Sequence, residues 1–546
     1  MDAGTALVAC LIDCGLDTGF TVPGESFLPV LEALRQRRDE FRLVSMRHEG
    51  GCSFAALGYS ARAGRPALVM VSRGPGATNA AIGVHAAHQD SQPMVMVIGH
   101  VRRHMRGREA FQEIDPVSMF ASISKAVLMP ETPADVTAMA RQAVKLSMAG
   151  RPGPVILVLP RDLCEAAAEM PPLEGRVGAA PNVPDASDVA ALVERLATAK
   201  KPLIIAGELA RGGDVRPVLE AFAQRSGAAV LSAYRCQDVL NNADPAYAGH
   251  LEINPVSYQN QLVADADLII ALGSRLDGIT SREETLLAER LDRVVHVYAD
   301  SEVLARFDTG LAVHGDVAAT LTALLDQMPE GAGDLSWQGD AHAAFKAFST
   351  AGNVPVTGHA DLAQIAAATR QTLLDGALVL TDGGSFARWI HRYFHYADPL
   401  TQGGSASGAM GASVPGAIGA ALAATDQSVV AFAGDGGFMM NGQELSTAVR
   451  DGIKFVIVVC DNQVHGSILS GQSAKYGADK LYATEMGGPD FVALAEAYGA
   501  RAWRVDATAD FPAVLTAAVM AEGPALIHVR CHADDIVPYG PGKDAV

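Results

Sequence analysis

Apolar residues along this chain recur in two forms. Short unbroken runs, such as 202–206 (PLIIA), 268–272 (LIIAL), 429–433 (VVAFA) and 455–460 (FVIVVC), show no polar alternation. Runs of that length bounded by turn residues are expected for strands buried on both faces. Between them lie longer stretches of small and apolar residues at helical spacing, such as 50–63 and 415–424. Strand, short turn and helix alternate through most of the chain, a pattern that predicts parallel sheets covered by helices on both sides.

The pattern places strands at 19–22, 42–46, 66–72, 94–99 and 155–159 in a first region. A second region has strands at 202–206, 229–232, 268–272 and 294–298, and a third at 377–381, 429–433, 455–460 and 525–529. Residues 170–188 and 329–340 lack periodicity and read as linkers. The expected fold class is α/β, with three doubly wound parallel-sheet domains spanning 1–172, 188–330 and 355–546. Residues 539–543 read as a loose tail.

Composition narrows the function. At 546 residues the chain is too long for one core, which agrees with three domains. A formal net charge of −19 argues against nucleic acid and anionic membrane surfaces as partners. Anionic substrates would then be met by local positive groups. The seven cysteines include no CxxC pair, and Cys10 and Cys14 one turn apart make no metal site by themselves. Reduced thiols, no basic leader and no long apolar span near the N-terminus give a cytoplasmic expectation.

The chemistry concentrates in residues 429–467. Gly434-Asp435-Gly436 closes one apolar run and Asp461-Asn462 closes the next, with a helical stretch between. In a βαβ unit both tips lie at the same carboxyl edge of the sheet, where ligands bind. An Asp, an Asn and a nearby carbonyl are hard oxygen donors suited to Mg²⁺ and a diphosphate riding on it. Upstream, Glu49 stands at a strand tip beside a helix opening on two glycines, where it could equally be an acid favoured by the helix terminus. The turn from Gly74 to Asn79 could cradle phosphate or pack tightly. Arg102, Arg103, Arg106 and Arg108 could grip an anionic substrate or pair with acids of the chain itself.

Taken in order, Val22-Pro23-Gly24-Glu25-Ser26, His48-Glu49-Gly50, Gly74-Pro75-Gly76-Ala77-Thr78-Asn79, Ala110-Phe111-Gln112-Glu113, Gly150-Arg151-Pro152-Gly153-Pro154, Gly408-Ala409-Met410-Gly411, Gly434-Asp435-Gly436 and Asp461-Asn462 are similar to the thiamine-diphosphate-dependent enzymes. The resemblance is to the acetolactate synthase (acetohydroxyacid synthase) large-subunit group and covers nearly the whole chain. It implies a pyrimidine-binding domain, a central domain and a diphosphate-binding domain, with the active site formed between two subunits. The implied assembly is a homo-oligomer, a dimer at minimum, with a tetramer as the expected form.

The resemblance also assigns roles. Glu49 would be the carboxylate that activates the cofactor's aminopyrimidine, and Met410 the residue that supports its bent shape, with Gly408 near the pyrimidine edge. Asp435, Asn462 and the carbonyl of Val464 would hold Mg²⁺. Gly434, Gly436, Gly437, Gly383, Gly384 and Ser385 would approach the diphosphate. Pro23, Gly74 and Asn79 would border the cofactor. Gly24, Phe111, Gln112 and His465 would face the substrate. The expected reaction is decarboxylation of a small 2-oxo acid, followed by addition to a second carbonyl. FAD, ADP or neither in the central domain is left open by Gly273-Ser274-Arg275 and Gly249-His250.

Some positions depart from the family pattern. Ser385-Phe386 replaces Gln-His, Ile279 stands where an arginine would hold the second substrate, and Gly471 where a tryptophan is expected. His85 and His88 are additional polar candidates. These departures leave room for a decarboxylase that does not ligate, or a C–C lyase acting on other substrates including acyl-CoA. A non-catalytic cofactor-binding scaffold is disfavoured, because Glu49 and the Asp435/Asn462 pair are both kept.

Overall fold

A computed structural model describes residues 1–170, 172–178, 181–330 and 333–538. The tail expected at 539–543 lies outside the described residues. The first sheet contains β1 (Thr18–Thr21), β2 (Arg42–Ser45), β3 (Ala67–Ser72), β4 (Met94–His100), β5 (Ala126–Leu128) and β6 (Pro154–Pro160), in the order β2-β1-β3-β4-β6-β5. The second contains β7 (Pro202–Ala206), β8 (Ala229–Ser232), β9 (Tyr247–His250), β10 (Leu268–Leu272), β11 (Val294–Tyr298) and β12 (Leu311–His314), ordered β12-β11-β10-β7-β8-β9. The third contains β13 (Leu378–Thr381), β14 (Gln402–Gly403), β15 (Val429–Gly434), β16 (Val456–Asp461), β17 (Arg501–Val505) and β18 (Ala525–Arg530), ordered β14-β13-β15-β16-β18-β17. Every pairing between these strands is parallel.

Apart from the edge strand β2, the strands legible in the sequence are central ones, such as β4, β7, β10 and β16, buried along their whole length. β5, β9, β12, β14 and β17 were not expected, and all five are edge strands. Most edge strands have one open face, so no continuous apolar run marks them. Burial along β17, for example, alternates through exposed and half-buried positions. A second difference concerns residues 329–340, read as a linker. Ser336–Phe348 is a helix whose Gln338, Ala341, Phe345 and Phe348 are buried. It docks on the second sheet through Trp337 Nε1, which donates to Pro202 O at 2.9 Å, and Gln338 Nε2, which donates to Ala223 O and Ala228 O. Its polar anchors hid it from an apolar-pattern reading.

The arginine-rich loop is engaged by its own domain. Arg102 pairs with Glu165, Arg103 with Asp162 and Arg106 with Glu131. Among the described residues no helix is long and apolar enough to cross a membrane.

One contact between domains matters for the site. The helices Glu49–Ala63 and Ser413–Ala423 pack backbone against backbone. A Cβ on Gly419 would stand 1.8 Å from Ala55 O, and one on Gly58 2.1 Å from Gly416 O. Only glycine permits that approach. A single core then runs from Phe20 and Val69 in the first domain to Ile418, Ala431 and Ile457 in the third. The N-terminus of the helix bearing Glu49 is thereby fixed relative to the third sheet.

Candidate active site

Residues singled out in the first domain gather at the carboxyl edge of its sheet. Glu49 begins a helix capped by His48, whose Nδ1 accepts from Gly50 N at 3.0 Å. The half-buried Glu49 carboxylate accepts from Asn79 Nδ2 at 2.9 Å. Asn79 lies in the first turns of the helix Pro75–Gln89, which follows β3 through Gly74. Gly74 has φ +55°, a backbone that favours glycine, and a Cβ there would meet Gln112 O at 2.5 Å. Phe111 O accepts from Arg73 Nε, and its ring is 77% exposed. Gly24 admits Ser72 Oγ, which a Cβ would meet at 1.9 Å. Glu49, Gly74, Asn79 and Gln112 thus share one edge, and Pro23-Gly24 reaches the end of β3 beside them.

The second group is at the edge of the third sheet. Register aligns Gly434 with Cys460, so that Asp435 and Asp461 leave adjacent strand tips side by side. An open cleft of about 240 Å³ forms there. Gly383, Gly384, Ser385, Gly408, Met410 and Gly434 line it, and so do Asp435, Gly436, Gly437, Asn462, Val464 and His465. The cleft depends on absent side chains. A Cβ at Gly383 would lie 2.3 Å from Gly408 O, and one at Gly437 2.4 Å from Asp382 Oδ2. Asp382 is fully buried and accepts from Gly411 N at 2.8 Å and Ala412 N at 2.9 Å, which pins the loop bearing Gly408 and Met410. Burial pushes its carboxyl up to about 6.

Asp435 accepts from Gly436 N and Gln463 N, both at 2.9 Å. Burial, with the Asp461 carboxylate beside it, pushes Asp435 up to about 6. At Asp461 burial is outweighed by the bond from His528 Nε2 at 2.9 Å, and that carboxyl is held below its usual range. Two adjacent buried carboxylates and the Asn462 amide form a hard oxygen set of the kind a divalent cation prefers.

Several residues of the cleft escaped the sequence reading. Residues 484–486 fold back on 463–465, with His465 N donating to Thr484 O and Met486 N to Gln463 O. This places Met486 over Gly436, where a Cβ would meet its Sδ at 2.9 Å. His528 arrives from β18. Neither carries a local motif. His85 is exposed, and His88 is a packing residue: burial, with Arg151 nearby, lowers its pKa to about 4, and its carbonyl accepts from Arg151.

In the central domain, a Cβ on Gly249 would meet Tyr258 Oη at 2.4 Å, and one on Gly273 would meet Val317 Cγ2 at 2.7 Å. Arg275 faces Glu208 at 3.8 Å and donates to Gln89 Oε1 at 3.2 Å, while Glu208 also accepts from Tyr298 Oη. Arg235 crosses the junction of the three domains to donate to Thr381 O and Asp382 O, each at 3.0 Å.

The chain matches three family models. These are the thiamine pyrophosphate enzyme N-terminal TPP binding domain over residues 1–119, the central domain over 189–324 and the C-terminal TPP binding domain over 382–529. The chloroplastic acetolactate synthase of Arabidopsis thaliana is 30% identical over 567 aligned positions, covering 98% of this chain and 82% of that protein. Acetolactate synthase isozyme 1 large subunit of Escherichia coli (strain K12) is 30% identical over 527, covering 94% and 91%. A probable acetolactate synthase large subunit of Methanococcus aeolicus is 27% identical over 558, covering 96% and 91%. The chain belongs to the thiamine-diphosphate-dependent enzymes, in the acetolactate synthase large-subunit-like group.

Proposed function

We propose that this enzyme uses thiamine diphosphate and Mg²⁺ to decarboxylate a small 2-oxo acid and join the remaining acyl unit to a second carbonyl compound. The observation that carries the reading is the glycine-lined cleft over Asp435 and Asn462, in a chain whose relatives are named acetolactate synthases. When bound, thiamine diphosphate supplies a carbanion that adds to the 2-oxo carbonyl and takes up the electron pair left by departing CO₂. Asp435, Asn462 and the Val464 carbonyl would hold the cation and, through it, the diphosphate. The backbone of Gly383–Ser385 and Gly436-Gly437 would border the phosphate oxygens.

The remaining steps belong to side chains of this protein. Glu49 would hydrogen-bond the pyrimidine ring of a bound cofactor, with Asn79 Nδ2 fixing the orientation of its carboxyl at 2.9 Å. Met410 and Met486 crowd the space over Gly436 and would press against a bound cofactor from that side. Phe386 and Ile468 also line the cleft and would limit water at the reacting carbon, which favours addition over protonation. Ser385 and His465 line the same cleft and would face the substrate. Ile279 offers no cation, and Gly471 lies on the exposed face of the helix Gly466–Tyr476, so acceptor recognition differs from a site built on arginine and tryptophan.

Glu49 does not line the cleft of its own chain, whose lining comes entirely from residues 383–486. We infer that it serves the cofactor held by a second copy. Exposed Ile82 on the Asn79 helix, and exposed Met439 and Met440 beyond Asp435, are apolar surfaces that such a copy would cover. We also infer that the reaction proceeds without a flavin. The central-domain residues do not fit one, because the Glu208 carboxylate sits just after β7, where a dinucleotide's diphosphate would lie.

The test is incubation with single 2-oxo acids, alone and with aldehyde or 2-oxo acid acceptors, with products read by mass spectrometry. An acyloin or 2-hydroxy-2-acyl acid is expected. An aldehyde as sole product from every mixture would replace ligation with simple decarboxylation. Calorimetry with thiamine diphosphate should show binding that disappears when EDTA removes Mg²⁺.

A further inference from the structure

We propose that Glu444, which takes no part in the chemistry above, is the positioning residue for Glu49, an inference that rests on the role given to Glu49. Glu444 begins the helix Glu444–Asp451 in the third domain and is completely buried. Its carboxylate reaches into the first domain. There it accepts from Arg47 N at 3.0 and 3.2 Å and from His48 N at 3.0 Å, and Thr447 Oγ1 donates to it at 2.7 Å. Arg47 and His48 are the two residues immediately before Glu49. Their N–H groups precede the first helical turn and have no acceptor within the helix.

The turn is held at more than one point. Arg450 Nη2 donates to Ser45 O at 2.6 Å, and Arg47 Nε donates to Ser446 Oγ at 3.2 Å. One helix of the diphosphate domain therefore grips residues 45–48. Gly51 completes the fit, since a Cβ there would lie 2.6 Å from Glu444 Oε1. Bonds from backbone amides to a buried carboxylate are stronger than neutral ones, and the carboxylate is tolerated in the interior because donors surround it. Asn79 steadies the Glu49 side chain, whereas Glu444 steadies the backbone from which that side chain projects. The same stretch, 435–451, begins at Asp435, so the cofactor cradle and the grip on Glu49 are parts of one continuous segment.

A displacement of about 1 Å in a reacting group can lower turnover by about a hundredfold. The experiment compares Glu444→Ala, Glu444→Met and Glu444→Gln. Methionine keeps the volume, so a folding failure of the alanine variant does not end the test. Glutamine keeps one oxygen for both amides and can donate to Thr447. Turnover should fall about 10- to 100-fold in the alanine and methionine variants, with the KM for the 2-oxo acid within about twofold, and recover largely in the glutamine variant. In the cofactor-free protein, amide hydrogen exchange across residues 45–51 should quicken in the first two variants and stay slow in the third. Exchange elsewhere in the first sheet should be unchanged.

Undiminished turnover in the methionine variant overturns the proposal, and so does a loss that glutamine does not reverse. Unchanged exchange across 45–51 in the methionine variant also overturns it. Glu49→Gln separates the two levels of the argument. If that variant keeps full turnover, the reading of Glu49 itself fails. If it is inactive while the Glu444 variants are fully active, only the positioning role fails.

Discussion

Asn79 donates a 2.9 Å hydrogen bond to the Glu49 carboxylate across the gap between two helix N-termini of the first domain. The two residues stand on separate strand-to-helix turns, so the bond fixes one turn against the other. Proton-sharing groups in such positions contribute about 10²- to 10⁴-fold to rate. Glu49→Gln should therefore lower turnover by at least about 10²-fold with little change in thermal midpoint. Asn79→Ala should cost less, about tenfold, because the carboxylate remains. Steady-state kinetics and a melting curve on each variant check both statements.

Gly419 tests the packing that joins the first and third domains. An added Cβ would lie 1.8 Å from Ala55 O, a backbone atom of a helix that cannot move without disturbing Glu49. Overpacking of this kind typically costs about 1–3 kcal/mol. Gly419→Ala should be destabilised by about 3 kcal/mol in denaturant unfolding. Gly452→Ala is not an equivalent control despite its open surroundings, because its φ of +63° strains any side chain. Gly339→Ala, in a helix with nothing within 4 Å of the added atom, should be neutral or stabilising.

Asp382 gives a pH dependence of known sign. Its folded carboxyl is raised to about 6 by burial, above the 3.8 of the free side chain. The folded state thus binds the proton more tightly, and the protein gains stability as pH falls through 6. From pH 7.5 to 5 this contribution amounts to something on the order of 1 kcal/mol. Asp382→Asn, which gives up one of the two backbone donors, should be less stable at every pH. The gap between wild type and variant should widen as the buffer is acidified, as read from unfolding midpoints.

Protein purified without added cofactor should show no flavin absorbance band, and denaturation should release no FAD. Arg235→Ala would remove two bonds to the β13 tip. That variant should bind thiamine diphosphate more weakly, because Thr381 and Asp382 immediately precede Gly383 and Gly384.

What was legible in the sequence was local. β15 and β16 are apolar because sheet neighbours and helices cover them on all sides, so their run lengths and terminal motifs could be seen directly. Asp435 and Asn462 could be paired because consecutive strands of a βαβ unit end at the same edge. The edge strands β14 and β17 could not be seen, since β14 is only Gln402-Gly403 and partial exposure of β17 removes the apolar run that marks a strand. Nor could the helix Ser336–Phe348, which docks through Trp337 and Gln338 as much as through its apolar face.

The sequence alone determined the fold class, because run lengths and turn spacing obey strand and helix geometry. The cofactor family and the candidate halves of the site came from the resemblance carried by its contiguous motifs. Only the tertiary structure decided how the halves are held. Met486 over Gly436, His528 against Asp461 and Glu444 beneath His48 each join segments far apart in the chain, and a carboxylate or thioether has no local pattern announcing its partner. The physical reason is that a buried polar group is defined by what surrounds it, and those surroundings exist only once the three sheets have packed.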